Sequence, residues 1–128
     1  MKKTLSLGIL FVLALTASGF AAPSDKTRIV VASNGNTAAS AVSPVAARGL
    51  YFLIFDGQGA FIEALNNPHK NAGGGASALV VDFLSGKGAT TIVAGTFGDK
   101  MVAAMKAKRI NYLEFKGTAA DAVKKVVQ

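Results

Sequence analysis

Two short apolar segments in the C-terminal half constrain the fold most, because each follows a stretch with helical periodicity. The segments are residues 89–94 and 110–115, and the helical stretches before them are residues 76–85 and 97–108. Strands joined through a helix lie parallel in one sheet, through a right-handed crossover. The chain therefore predicts an α/β domain with a partly parallel sheet.

Three further apolar segments come earlier, at residues 28–33, 50–56 and 60–65. An Asp-Gly turn separates the last two, which is typical of a β-hairpin. With a final helix over residues 119–127, the order is βββαβαβα. We expect a mixed five-stranded sheet in the order 3-2-1-4-5, in which only strand 2 is antiparallel.

The pattern of each helix predicts its start and its buried face. Thr96 with Asp99, and Thr118 with Asp121, have the spacing of a capping box. Helical periodicity predicts three buried faces. They are Ala76, Leu79, Val80, Phe83 and Leu84 in the first helix, Phe97, Met101, Ala104 and Met105 in the second, and Ala119, Ala122, Val123, Val126 and Val127 in the third.

Residues 1–21 have the three parts of a secretory signal peptide. Lys2 and Lys3 precede an apolar run, and Gly19 and Ala21 are the small residues before a cut at Ala22. The alternative is a retained membrane anchor, for which the apolar run is short. We expect a periplasmic protein with no stable membrane span after signal removal and with one domain over residues 27–128.

The charge of the mature chain favours anionic partners without naming one. Without Lys2 and Lys3 the 14 basic residues become 12, against 7 acidic residues, for a net charge of +5. The chain has no cysteine, which excludes thiolate ligation of a metal or cluster.

Four strands should end at the same edge of the predicted sheet, which is where open α/β sheets bind ligands. Glycines precede two of the helices at this edge, and free N–H groups at a helix start can bind an anion. The alternative is a flexible loop that uses glycine for sharp turns. Candidate ligand-binding residues are Asn34, Asn36, Arg48, Lys70, Gly73, Gly74, Gly75, Gly95, Gly98 and Lys100.

Enzymatic interpretations have little support in the sequence. The first strand has no acidic residue for a two-metal nuclease site, and the single histidine, His69, has no evident triad partner. No phosphate-binding loop motif is present. We therefore expect a protein that is not an enzyme, and export argues against a nucleic-acid partner.

Several segments together resemble the dinitrogenase iron–molybdenum cofactor biosynthesis family. They are IVVAS at the first strand, VSPVAARGLYFLI at residues 42–54, the Asn67-Pro68 turn before GGGAS, and IVAGTFGDKM, within residues 28–128. The resemblance implies a ribonuclease-H-like fold. It also implies a carrier that binds or inserts metal–sulfur clusters, such as the iron–molybdenum cofactor, without a covalent link, and it suggests a cofactor-receiving protein as partner.

One loop departs from the family pattern. Ser43 and Arg48 match it, whereas Val45, Ala46 and Ala47 stand where the family has His-Phe-Gly. The loop imidazole is therefore absent, and His69 in the neighbouring loop is the candidate metal ligand. The alternative function is a ligand-free protein-interaction module that kept the fold.

Overall fold

The computed structural model describes residues 26–128, so the predicted signal peptide at residues 1–21 lies outside the described residues. The order of elements is βββαβαβα, as the sequence predicts. A short 3-10 helix, Ala46–Arg48, lies between the first two strands. The strands are β1 (Arg28–Ser33), β2 (Tyr51–Asp56), β3 (Phe61–Asn66), β4 (Thr91–Ala94) and β5 (Asn111–Glu114), and the helices are α1 (Ala76–Gly86), α2 (Asp99–Ala107) and α3 (Ala119–Val127).

The sheet has the predicted order β3-β2-β1-β4-β5. β2 is antiparallel to both of its neighbours, and β1, β4 and β5 are parallel. In β1, Val30 pairs with Ile54 of β2 and Ile92 of β4. The predicted α/β fold of the ribonuclease-H-like type is confirmed.

The sheet separates two apolar cores, which gives three layers. Val30 and Ala32 belong to the core under α1 and α2, whereas Ile29 and Val31 belong to the core under α3. Successive side chains of a strand point to opposite faces, so a central strand covered on both sides is apolar throughout. This explains why β1 shows no polar alternation.

The buried faces of the helices differ in part from the prediction. In α1, Leu79 is 42% exposed and Phe83 is only partly buried, while Val81 is fully buried. α1 packs against α2 as well as the sheet, and this turns its buried face toward Val81. Ala104, Phe97 and Val126 are half-buried, and Val127 is exposed because it lies at the end of α3.

One of the two predicted capping boxes is wrong. α2 begins after Gly98, and the hydroxyl of Thr96 donates to the carbonyl oxygen of Pro44 at 2.7 Å. The bond to a distant segment replaces the local cap. Thr118 does cap α3, since its Oγ1 accepts from Asp121 N at 3.2 Å.

Across residues 26–128, none of the helices combines the length and the apolar character that crossing a bilayer requires.

Candidate functional site

One segment, residues 43–48, crosses the edge where β1, β3, β4 and β5 end. Gly95 N donates to Ser43 O at 2.8 Å, and Ala46 N donates to Thr96 O at 3.1 Å. Gly95 is buried so closely against this segment that a Cβ there would lie 2.8 Å from Pro44 Cα. The segment therefore divides the edge into two separate cavities.

The first cavity lies between the 3-10 helix and the starts of α1 and α2, and we call it the α1–α2 cavity. Its volume is about 310 Å³, which falls in the range of small-ligand sites. Small and apolar side chains make most of its wall. The lining residues are Val45, Ala46, Ala47, Arg48, Gly75, Ala76, Ser77, Ala78, Gly98, Lys100 and Met101.

Both helices that start at this cavity begin at a glycine. Gly75 precedes α1 in the left-handed conformation, with φ +70°, and Gly98 precedes α2 in an extended conformation. No side chain caps either helix. The first N–H groups of a helix have no partner within it, and the helix dipole makes this end positive. The cavity therefore has two open, positive helix ends.

The start of α3 differs, because the loop after β1 covers it. Ala119 N donates to Ser40 O and Ala120 N to Ala38 O, both at 2.9 Å. With the Thr118 cap, the first N–H groups of α3 already have partners. Of the three described helices, α1 and α2 alone present uncapped starts at the edge.

The charged side chains that line the α1–α2 cavity are Arg48 and Lys100, and no lining residue is acidic. Asp99, which is exposed, occupies the first turn of α2 without lining the cavity. Two cations and two positive helix ends together favour an anion.

Arg48 also has a structural role. Its Nη1 donates to Lys70 O at 2.9 Å and to Ala72 O at 2.8 Å. These carbonyl groups belong to the loop that leads through the glycines into α1. The side chain thus fixes the path of that loop while its charge lies at the cavity.

The structure brings together four of the predicted site residues, namely Arg48, Gly75, Gly98 and Lys100. The remaining predicted residues do not line this cavity. Ser43 is buried, and its Oγ donates to Val45 O at 3.0 Å. Asn34 is exposed in the loop over α3, Gly73 and Gly74 are exposed in the loop before α1, and Gly95 packs on Pro44.

His69, the predicted metal ligand, lies in the turn after β3. Its backbone N donates to Asn67 Oδ1 at 2.9 Å, and its ring meets the Phe83 ring edge to face, with centroids 6.2 Å apart. It does not line the α1–α2 cavity. Within residues 26–128 there is no group of three or more His, Cys, Asp or Glu residues that could hold a metal ion.

Sequence reasoning did not name Val45 or Ser77 as candidate site residues, although both line the cavity. Val45 was noted only as a departure from a family pattern, yet it lines the cavity and is 47% exposed. Ser77 supplies a hydroxyl in the first turn of α1. Both residues belong to segments that resemble the family, Val45 to VSPVAARGLYFLI and Ser77 to GGGAS, and these segments were the available signal.

Comparison with known proteins agrees with the fold. The family described as dinitrogenase iron-molybdenum cofactor matches residues 27–128. The apo orange protein from Desulfovibrio gigas has a similar structure, with a TM-score of 0.74 and 24% identity over 78% of this chain and 86% of that chain. A NifB-like protein from Thermotoga, solved by NMR, has a TM-score of 0.67 and 29% identity over 77% and 85% of the two chains. No curated protein sequence matches the chain significantly.

Proposed function

The chain belongs to the dinitrogenase iron–molybdenum cofactor family, and we propose that it is a carrier that binds an anionic metal–sulfur cluster, or a related metal oxyanion, in the α1–α2 cavity. The observation that carries the proposal is the meeting of two uncapped helix starts with Arg48 and Lys100 around one cavity without acidic residues.

The donors of this cavity suit an anion with several acceptor atoms. N–H groups at a helix start point outward along the helix axis. The planar guanidinium of Arg48 has donors beyond the Nη1 bonds to the loop, and Lys100 adds a mobile point charge. Oxo or sulfido groups on several faces of one anion can each accept from a different donor.

The same residues do not suit direct bonds from protein to metal. The chain has no cysteine, and the lining has no histidine or carboxylate. The cargo would therefore be held by hydrogen bonds and charge, and it could leave without breaking a bond to metal. Ligation by His69 stays a prediction, and its position outside the lining would allow at most a contact from the neighbouring loop.

A non-catalytic role is part of the proposal. Ser77 is the hydroxyl-bearing residue in the lining, and the lining has no histidine or carboxylate to act as its base. A cavity of this kind holds an anion without activating water or a nucleophile. We propose export through residues 1–21 and delivery of the cargo to a receiving protein as the setting of this role.

The test is a titration of the purified protein with tetrathiomolybdate under anaerobic conditions. Lys100→Glu reverses one charge at the cavity and should weaken binding about tenfold or more. Lys106→Glu makes the same change on the same helix, at an exposed residue outside the lining, and should leave affinity within about twofold. Equal effects of the two variants would reject the α1–α2 cavity as the site.

The second candidate function is a protein-interaction module, favoured by the exposed Val45 in the cavity wall. The valine side chain offers no donor to an anion, whereas it can pack against an apolar group of another protein. This function predicts that the protein binds neither tetrathiomolybdate nor molybdate measurably.

A further inference from the structure

The second cavity at the sheet edge has a different chemistry from the first. It lies between the loop after β1, the end of β4 and the segment from β5 to α3, and we call it the β4–β5 cavity. Its volume is about 500 Å³, which is within the range of small-molecule sites. Its lining residues are Ala39, Ala41, Val42, Pro44, Gly95, Thr96, Phe115, Lys116, Gly117 and Thr118.

The walls of this cavity are held by backbone hydrogen bonds. Val42 N donates to Gly117 O at 2.8 Å, and Ala41 and Thr118 form a β-bridge. On the opposite wall, Thr96 Oγ1 donates to Pro44 O at 2.7 Å. The loop after β1 is thus tied to the start of α3, and the cavity is part of the folded structure and not a gap under a loose loop.

The interior is apolar and has a single charged residue. Methyl and ring carbons of Ala41, Val42 and Phe115 contribute to the wall, and Lys116 is the one charged side chain in the lining. The hydroxyl of Thr118 accepts a hydrogen bond from Asp121 N, and its own O–H group can still donate to a ligand. The cavity therefore has apolar surface together with two donors and no carboxylate.

We infer that the β4–β5 cavity binds a compact amphipathic monoanion, with its carboxylate or sulfonate on Lys116 and Thr118 and its apolar part against Phe115. Burial of the apolar part supplies most of the free energy, and the anionic group sets the orientation. This site is separate from the α1–α2 cavity, because residues 44–46 and 95–96 stand between the two.

Anilinonaphthalene sulfonate is a suitable probe, since it joins an aromatic body to one sulfonate. Its fluorescence on titration into the purified protein should show one saturable site. Lys116→Glu should weaken binding about tenfold by charge reversal. Ala41 is exposed and lines the cavity, so the longer side chain in Ala41→Leu should fill part of it. This variant should weaken dye binding to a similar extent. Thermal unfolding of both variants checks that they are folded.

Two control variants locate the dye. Lys125→Glu makes the same charge change at an exposed residue of α3 that lines none of the described cavities. It should leave dye affinity within about twofold. Lys100→Glu should also have little effect, because it alters the α1–α2 cavity. Loss of binding in Lys100→Glu, or unchanged binding in both Lys116→Glu and Ala41→Leu, would overturn the inference.

Competition defines the ligand class. Octanoate should displace the dye at about tenfold lower concentration than octanol, because the two share a chain and differ in the anionic group. Equal competition by octanol would overturn the monoanion assignment. The titration of Lys100→Glu with tetrathiomolybdate tests the α1–α2 cavity, and the dye titration tests the β4–β5 cavity. A negative result for one cavity therefore does not affect the conclusion for the other.

Discussion

The guanidinium of Arg48 donates through Nη1 to the carbonyl oxygen of Ala72 at 2.8 Å. The contact joins the 3-10 helix to the loop before α1, residues that lie far apart in sequence. Because Arg48 also lines the α1–α2 cavity, its charge and its hold on the loop affect the same site. Replacement by alanine removes both contributions, whereas replacement by lysine keeps the charge.

Arg48→Ala should weaken binding of tetrathiomolybdate about tenfold and should speed amide exchange across residues 70–75. Arg48→Lys should keep affinity within about threefold but should still speed exchange, because an ammonium group does not reproduce the planar pair of donors. Titration and hydrogen–deuterium exchange by mass spectrometry measure the two effects. Lys106→Ala is the charge control and should change neither, while an unchanged exchange rate in Arg48→Ala would contradict the loop role.

Gly75 and Gly74 make a matched pair for testing the start of α1. Gly75 has φ +70°, where a Cβ is disfavoured, whereas Gly74 does not have positive φ and has no heavy atom within 4 Å of an added Cβ. Gly75→Ala should lower the free energy of unfolding by about 1 kcal/mol. Gly74→Ala should leave it unchanged or raise it by up to about 1 kcal/mol, since alanine restricts the unfolded chain. Urea denaturation compares the two, and equal losses would contradict the role of the left-handed residue.

The fold could be predicted because its signals are local. The unbroken apolar run of β1 indicated a strand covered on both faces, and Ile29 and Val30 do lie in opposite cores. Helices before β4 and β5 made those strands parallel to their neighbours, as their register confirms. Strand direction then placed the loops after β1, β3, β4 and β5 at one edge.

The shape of the site could not be predicted, because it depends on contacts between distant backbone groups. The sequence on either side of Gly95 does not indicate that this residue packs on Pro44 rather than facing a ligand. The loop over the start of α3 uses carbonyl groups of Ala38 and Ser40, which have no side-chain signature. Sequence reasoning therefore found the edge but did not separate its two cavities.

Gly95→Ala should be the most damaging of the glycine substitutions at the edge. An added Cβ would lie 2.8 Å from Pro44 Cα and 2.9 Å from Pro44 O, so backbone must move. We expect the free energy of unfolding to fall by about 2 kcal/mol and both cavities to lose affinity for their probes. Gly98→Ala is the control, since φ is −74° and an added Cβ meets no heavy atom within 4 Å. A fall in the free energy of unfolding of Gly98→Ala as large as that of Gly95→Ala would contradict the packing argument.

Asp56 gives the protein an acid-dependent contribution to stability. Its Oδ1 accepts from Ala60 N and Gln58 N, each at 2.9 Å, and these bonds lower the pKa of the carboxyl below its usual 3.8. A depressed pKa in the folded state means that the contribution is present above the usual value and is lost as pH falls through the folded value. The melting temperature of the wild type should exceed that of Asp56→Asn at about pH 7, and the gap should close toward about pH 2. A gap that is independent of pH would contradict the assignment.

Val45→His should give the α1–α2 cavity a switchable third cation. Val45 lines the cavity and is 47% exposed, so an imidazole fits there without loss of core packing. Histidine is charged below about pH 6.5. Affinity for molybdate should therefore rise about threefold over the wild type at about pH 5.5 and match it at about pH 8.

Leu79→His is the control for that prediction. Leu79 is exposed to a similar extent, at 42%, but lies on the outer side of α1 and does not line the cavity. The same ionisation there adds the same net charge to the protein without placing it at the proposed site. A pH-dependent gain in Val45→His alone shows that the anion is close to residue 45, because the field of an exposed charge is screened over about 8 Å at physiological salt. An equal gain in both variants would mean that molybdate affinity depends on the net charge of the protein. That result would contradict specific binding in the α1–α2 cavity.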